Sequence, residues 1–206
     1  MCELEKMLAG EVFDGKDQSI AVLRNQGQFY LTQLNQTPSS DAEQRTKICQ
    51  QLFAAFDESS LIMSPFICEF GSNIIIGQNT FINFQVTILD VSSVIIGNNV
   101  LIAPNVQLYT ASHPLNINQR RQWAVYGKPI VIEDDVWLGG GVIVCPGVKI
   151  GKGSVIGAGA IVTHSIPEGV LAAGNPCRII RSLTAEEMSP LGSKDSTAIT
   201  LASTES

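Results

Sequence analysis

Aliphatic residues recur at every sixth position over most of the chain after about residue 66. The series comprises Ile76, Ile82, Ile88 and Val94; then Ile96, Ile102 and Leu108; then Ile132, Leu138, Val144, Ile150, Ile156 and Val162. The fifth position of each hexad is mostly small or β-branched. The second is often Gly, which we expect to adopt the turn dihedrals. A period of six fits neither an alternating strand nor a helix, and it predicts a parallel β-helix with three hexads to each triangular coil.

The first sixty residues lack the hexad period and show helical spacing instead. One predicted helix has an apolar face made of Ile20, Leu23, Gly27, Leu31 and Leu34. A second would begin at a capping box, with Ser40 as N-cap and Glu43 reaching back. Its apolar face would comprise Ile48, Leu52, Ala55 and Phe56. We therefore expect a mainly β protein, with a helical segment over residues 1–60 packed on a β-helix over residues 61–183.

Two segments depart from this pattern. Residues 113–129 have no hexads and must leave the coil as a loop, and long loops on a rigid scaffold usually carry function. Residues 184–206 are rich in Ser, Thr and Glu and predict an extension with little structure of its own. Because the flat faces of a left-handed β-helix are not buried within one chain, we expect a homotrimer in which each loop reaches toward a neighbour.

Composition and charge exclude several classes of function. The 206 residues carry a net charge of −6, which argues against a nucleic-acid surface. No apolar stretch is long enough to span a membrane, and the start is too charged for a secretory signal, so we expect a cytoplasmic protein. The five Cys include no CxxC pair and there are only two His, so we expect no metal site.

Four stretches carry a resemblance to a known family. They are Glu5–Glu11, Ile82–Phe84 with Leu89–Val91, Thr110–Pro114, and the run from Val136 to Arg178. These stretches resemble the hexapeptide-repeat acyltransferases, which are left-handed β-helices, and within them the maltose and galactoside O-acetyltransferases. The resemblance implies an enzyme that transfers an acetyl group from acetyl-CoA to a hydroxyl of a small sugar.

The resemblance also implies roles for individual residues. His113 would be the catalytic base, a task that suits imidazole with its ordinary pKa of about 6.5. Acceptor-side candidates are Asn83, Asp90, Arg24, Asp14, Asp17 and Glu69. Candidates for binding coenzyme A are Trp137, Gly140, Ala158, Thr163, His164, Arg178 and Arg181. The chain departs from the galactoside branch at Gly15, Glu69, Val91 and His164, which leaves the choice of sugar open.

Several alternatives stay open at the level of sequence. Asn83 could serve turn geometry, Asp90 could hold a neighbouring loop, and Trp137 could be a packing residue. The acceptor could instead be serine, an amino sugar or an antibiotic on the same scaffold. A non-catalytic β-helix trimer is the remaining alternative.

Overall fold

The computed structural model describes residues 1–189, and the rest of the predicted extension lies outside the described residues. The helices are α1 (Glu3–Leu8), α2 (Gln18–Gln36), α3 (Ala42–Leu52) and α4 (Ile117–Arg121). The strands before the loop are β1 (Phe13–Asp14), β2 (Ala55–Phe56), β3 (Leu61–Ile62), β4 (Ile67–Cys68), β5 (Ile74–Ile76), β6 (Phe81–Ile82), β7 (Thr87–Leu89), β8 (Val94–Ile96), β9 (Leu101–Ile102) and β10 (Gln107–Tyr109). The others are β11 (Ala111–Ser112), β12 (Ala124–Gly127), β13 (Ile130–Ile132), β14 (Trp137–Leu138), β15 (Ile143–Val144), β16 (Lys149–Ile150), β17 (Val155–Ile156), β18 (Ile161–Val162), β19 (Val170–Ala173) and β20 (Arg178–Ser182).

Three sheets form the faces of a β-solenoid of about six turns, as the hexads predict. Their strand orders are β16-β13-β8-β5-β2, β18-β15-β10-β7-β4 and β20-β19-β17-β14-β9-β6-β3. Pairing between successive turns is parallel, and within these three sheets over residues 1–189 only the last hairpin, β19 with β20, is antiparallel. Every strand of one turn therefore lies directly above its counterpart in the next.

The first position of each hexad points into the solenoid. Ile82, Ile88, Leu138 and Ile156 are all fully buried, and one continuous core runs along the axis. The solenoid begins earlier than the sequence predicted, at β2, because its first turn has Phe56 and Cys68 among its inward positions. The predicted face of the second helix was therefore wrong at its end: α3 stops at Leu52, and Ala55 and Phe56 belong to a strand.

The turn dihedrals fall at the fourth position of the hexad, not the second as predicted. Asn79, Asn99 and Asp135 have φ of 52°, 55° and 61°, and Gly occupies the same position in later turns. The second-position glycines serve close packing instead. A Cβ at Gly139 would lie 2.7 Å from the backbone nitrogen of Ala158, because neighbouring turns of the solenoid approach each other there.

The helices dock on the first turns of the solenoid. A Cβ at Gly27 of α2 would meet the carbonyl oxygen of Phe70 at 2.1 Å, so only Gly permits this contact. The buried Arg45 of α3 donates to the carbonyls of Leu34 and Ile62, which ties α2 to the solenoid. The predicted capping box was wrong by one residue: Asp41 is the N-cap of α3, while Glu43 pairs with Lys47.

The first residues of the predicted extension lie against the solenoid. Met188 reaches the turns at Gly153 and Gly169, and Glu187 pairs with Arg181 of β20. Among residues 1–189, no helix has both the length and the apolar character that crossing a lipid bilayer requires.

Candidate active site

A small antiparallel sheet stands beside the solenoid and carries His113. Its strand order is β1-β12-β11, so β12 of the loop lies between β1 of the N-terminal segment and β11, after which His113 follows. Phe13 pairs with Val125 on one edge of β12, and Ser112 pairs with Tyr126 on the other. The inner face of this sheet covers a satellite core formed by Met7, Phe13, Ile20, Phe70 and Val91.

His113 is exposed, and among residues 1–189 its side chain makes one hydrogen bond. Its Nδ1 lies 2.9 Å from the carbonyl oxygen of Ala124. A carbonyl oxygen only accepts, so Nδ1 must carry the hydrogen. In the neutral ring Nε2 then keeps its lone pair, which is the state that a general base requires.

Pro114 explains why the imidazole makes this contact. Continuing the pairing of Ser112 with Tyr126 by two residues places Pro114 opposite Ala124. Proline has no N–H, so the Ala124 carbonyl has no backbone donor on that strand. The side chain of His113 supplies the donor instead, and the His-Pro dipeptide thereby fixes the ring orientation.

The rest of the loop folds onto its own start. Asn116 caps α4 by accepting from the N–H groups of Asn118 and Gln119. Arg120 donates to the carbonyls of Pro114 at 3.1 Å and Leu115 at 2.5 Å. The segment that follows His113 is therefore held by side chains of the same loop.

Arg24 and Glu69 form an ion pair between α2 and the solenoid. Nη2 and Nε of Arg24 lie 2.9 and 3.2 Å from Oε1 of Glu69, and the guanidinium stands 5.4 Å from the centre of the Phe70 ring. Both side chains are partly exposed, so they can meet a small molecule from solvent.

Asp90 lies beneath this pair and is fully buried. Its Oδ1 accepts from the N–H groups of Glu69 and Phe70 at 3.0 and 2.9 Å. Its Oδ2 is buried without a partner among the described residues. Burial raises the pKa of Asp90, although the backbone N–H groups act in the opposite direction. This geometry fits the alternative in which Asp90 holds a neighbouring segment, here the one that carries Glu69.

The two other acidic candidates form local contacts. Asp17 is the N-cap of α2, where it accepts from the N–H of Ser19. Asp14 accepts from the N–H of Lys16 and stands opposite Ala124 in the pairing of β1 with β12. Asp14 is therefore the nearer of the two to His113 along the small sheet.

Asn83 lies on a different corner of the solenoid from Arg24 and Glu69. Its N–H donates to the carbonyl of Ile102, and Ala103 of the next turn donates to that of Leu138. This stacking places Asn83 two turns from Gly139, on the corner that also carries Gly140 and Ala158. The φ of Asn83 is not positive, so turn geometry does not require this residue. Its Oδ1 accepts from the N–H of Phe84 at 2.8 Å.

The same corner exposes backbone donors. Gly139 and Gly141 donate their N–H groups to the carbonyls of Ile156 and Pro104. Within residues 1–189, the N–H groups of Gly140 and Ala158 have no acceptor. A Cβ at Gly140 would meet nothing closer than 3.5 Å, so the surface is open there. Two unpaired donors on one open corner suit a ligand with carbonyl or phosphate oxygens.

The remaining cofactor candidates do not all share this corner, because Thr163 and His164 follow β18 and stack on Cys145, on the same corner as Glu69. Trp137 points outward from β14 and is 51% exposed, so it is not packed in the core. Thr163 and His164 are exposed neighbours, with Oγ1 and Nδ1 2.9 Å apart. Arg178 and Arg181 lie on β20, where Arg181 makes a two-pronged contact with Glu187 at 2.7 and 2.8 Å.

Comparisons with known proteins identify the family. The profile for the bacterial transferase hexapeptide (six repeats) matches residues 129–164, and that for the maltose acetyltransferase hexapeptide capping motif matches residues 6–57. The galactoside O-acetyltransferase of Escherichia coli K12 is 41% identical over 87% of this chain and 88% of its own. The chain belongs to the hexapeptide-repeat acetyltransferases. It is accordingly an acyltransferase, as the sequence predicted.

Solved structures of this acetyltransferase family agree with the fold. A maltose O-acetyltransferase from Clostridium difficile 630 superposes with a TM-score of 0.87 at 41% identity, covering 89% of this chain and 98% of that one. A hexapeptide-repeat acetyltransferase from Vibrio cholerae, solved with acetyl coenzyme A, gives 0.83 at 46% identity, covering 89% and 100%.

Sequence reasoning missed three residues that shape the site of this acetyltransferase. Ala124 contributes only a backbone carbonyl, which any residue could supply. Trp123 adopts a φ of 62°, unusual for a bulky residue, and carries Lys16 over its ring at 4.7 Å. Glu187 forms an ion pair with the guanidinium of Arg181. Of these three residues, only Glu187 could have been recognised from the sequence, because a carboxylate six residues after an Arg can pair with it.

Proposed function

We propose that the chain transfers an acetyl group from acetyl-CoA to a hydroxyl of a small sugar, with His113 as general base. The observation that carries the proposal is the hydrogen bond from Nδ1 of His113 to Ala124, which leaves Nε2 free to take a proton. The galactoside and maltose acetyltransferases among the relatives support a sugar acceptor, and the acetyl coenzyme A complex supports the donor.

The transfer proceeds by direct attack in a ternary complex. Nε2 of His113 takes the hydroxyl proton as the acceptor oxygen attacks the thioester carbonyl, and coenzyme A leaves as the thiol. The N–H of Gly140 would meet the oxyanion, because it has no acceptor among the described residues. Burial raises the pKa of Cys49 to about 12 and raises that of Cys68, Cys145 and Cys177 as well, so these thiols are poor candidates for an acyl-enzyme.

The site lies between copies of the chain. His113, Arg24 and Glu69 stand beside the small sheet, whereas Asn83, Gly140 and Ala158 share a corner of the solenoid. No hydrogen bond joins the two groups within residues 1–189. An outward column of Leu61, Phe81, Leu101 and Trp137 runs along one face, and Leu115 of the loop is 96% exposed. These apolar surfaces support a homotrimer, and sedimentation equilibrium showing a fully active monomer would overturn it.

Acetyl-CoA turnover with maltose, glucosides, galactosides, amino sugars and serine tests the acceptor class. We expect a sugar hydroxyl to give the highest kcat/KM; a clear preference for serine or an amine would replace this proposal. His113→Ala should lower kcat by roughly 10²–10⁴-fold while acetyl-CoA still binds. Gln122→Ala, an exposed substitution in the same loop, is the control and should be neutral. A His113→Ala enzyme with near wild-type kcat would exclude this mechanism.

The cytoplasmic location expected from the sequence stays a prediction.

A further inference from the structure

The loop that carries His113 is attached to the N-terminal segment by both backbone and side-chain contacts. β1 pairs with β12 through Phe13 and Val125, and the N–H of Gly15 donates to the carbonyl of Trp123 at 3.2 Å. Lys16 places its ammonium 4.7 Å from the centre of the Trp123 ring. These contacts converge on the two residues that flank Ala124.

The two edges of β12 form hydrogen bonds with different partners. Successive carbonyls of a strand point in opposite directions. The Trp123 carbonyl faces β1 and accepts from Gly15, while the next carbonyl, that of Ala124, faces β11 and accepts from His113. Any movement of β12 away from β1 therefore displaces the acceptor that orients the imidazole.

Phe13 anchors this arrangement in the satellite core. It is 3% exposed and packs with Met7, Ile20 and Phe70, while Ala111 and Val125 of the other two strands pack against the same cluster. The short strands β1 and β11 have only two residues each, so backbone pairing alone holds them weakly. The apolar contacts of Phe13 supply the attachment that the short ladder lacks.

We propose that Phe13 is a positioning residue for the transfer reaction: through β1 and β12 it fixes the Ala124 carbonyl and thereby the Nδ1–H tautomer of His113. The N-terminal segment is thus part of the catalytic apparatus without touching substrate. The inference rests on the proposed role of His113 as base. It gives the N-terminal segment a role in selecting which ring nitrogen of His113 carries the hydrogen.

The test compares Phe13→Ala with Phe53→Ala in the full-length protein. Phe53 is equally buried, at 5% exposure, but lies in the main core away from the small sheet. Nitrogen-15 NMR of protein labelled at histidine reports the tautomer of each ring, and His164 serves as the internal reference because the chain has only two His. Steady-state kinetics then give kcat and the KM for acetyl-CoA.

In Phe13→Ala we expect the Nδ1–H population of His113 to fall and kcat to drop by about 10- to 100-fold, the scale of a small misplacement of a catalytic group. The KM for acetyl-CoA should stay within about twofold, since the open N–H groups of Gly140 and Ala158 proposed for that ligand lie on another corner. Phe53→Ala should lower thermal stability and leave both the tautomer and kcat unchanged. Phe13→Leu keeps an apolar anchor and should restore most of the tautomer and kcat.

A folded Phe13→Ala protein with an unchanged His113 tautomer would refute the inference, whatever its activity. If Phe13→Ala does not fold, Val125→Ala, which truncates the partner of Phe13 on β12, takes its place, and the same two measurements against Phe53→Ala decide the question. The tautomer is read without turnover. An altered tautomer in Phe13→Ala together with an active His113→Ala enzyme would therefore uphold the positioning and reject the role of His113 as base.

Discussion

Replacing Asp90 with Asn isolates the cost of burying an ionisable group beneath the Arg24–Glu69 ion pair. The amide keeps an oxygen for the N–H groups of Glu69 and Phe70 and removes the charge. The partner-free Oδ2 becomes a partner-free amide nitrogen, so one buried unsatisfied group replaces another of similar cost, about 1–3 kcal/mol. The main expected effect of Asp90→Asn is therefore on the dependence of stability on pH.

The direction follows from the raised pKa of Asp90. The unfolded chain releases this proton near its ordinary pKa of about 3.9, while the folded chain holds it to higher pH because the carboxyl is desolvated. The stability contributed by protonated Asp90 is fully present below the unfolded pKa. It is lost as pH rises toward the folded pKa, by up to about 1.4 kcal/mol per pH unit for one proton.

Urea unfolding of wild type and Asp90→Asn between pH 4 and 8, at one protein concentration, measures this effect. The free energy of unfolding of wild type should fall relative to Asp90→Asn as pH rises from about 4, and the gap should then become constant. Asp57→Asn is the control: a hydrogen bond from Ser59 lowers the pKa of the partly exposed Asp57, so its contribution changes below the ordinary pKa and the difference from wild type should stay nearly constant from pH 4 to 8. Parallel curves for wild type and Asp90→Asn, or a wild type that gains stability relative to Asp90→Asn as pH rises, would refute the reasoning.

Three further outcomes follow from the site. Ala158→Leu should raise the KM for acetyl-CoA more than that for the sugar, because it fills the open corner; the reverse ranking in steady-state kinetics would show that the cofactor binds elsewhere. Asn83→Ala should lower kcat/KM for the acceptor with little change in melting temperature, since its φ does not require Asn; equal losses of turnover and stability would favour a structural role. Glu187→Gln should lower the KM for acetyl-CoA severalfold by releasing Arg181, and titration calorimetry showing unchanged affinity would separate Arg181 from the coenzyme phosphates.

The hexads predicted the solenoid because each inward position is a separate, local signal. The first turn of the solenoid was not predicted, because Phe56 and Cys68 occupy positions where later turns have aliphatic residues. The small sheet of β1, β12 and β11 was not predicted for another reason. Its strands have two to four residues, and Phe13 pairs with a residue more than a hundred positions away, so no local periodicity exists to indicate it.

In the candidate site, too, local features could be predicted from sequence, whereas contacts between distant residues could not. His113 was singled out as the base by the family resemblance, and the chemistry of imidazole fits that role because it belongs to the residue type. Its orientation depends on the Ala124 backbone, and a carbonyl has no signature in sequence. The burial of Asp90 was equally hidden, because a carboxylate after a strand has the same local sequence whether it faces solvent or the segment above it.

The loop between β11 and β13 leaves the stacking of the solenoid undisturbed. β13 pairs with β8 in continuous register, and the two ends of the loop are joined by a hydrogen bond from the Lys128 N–H to the Thr110 carbonyl. The loop is therefore an insertion whose two ends lie next to each other. Insertions and exchanges are best tolerated in loops of this kind. Loop length and composition can therefore diverge between related chains, or be exchanged by grafting at residues 110 and 128, without altering the corner of the solenoid that carries Gly140 and Ala158.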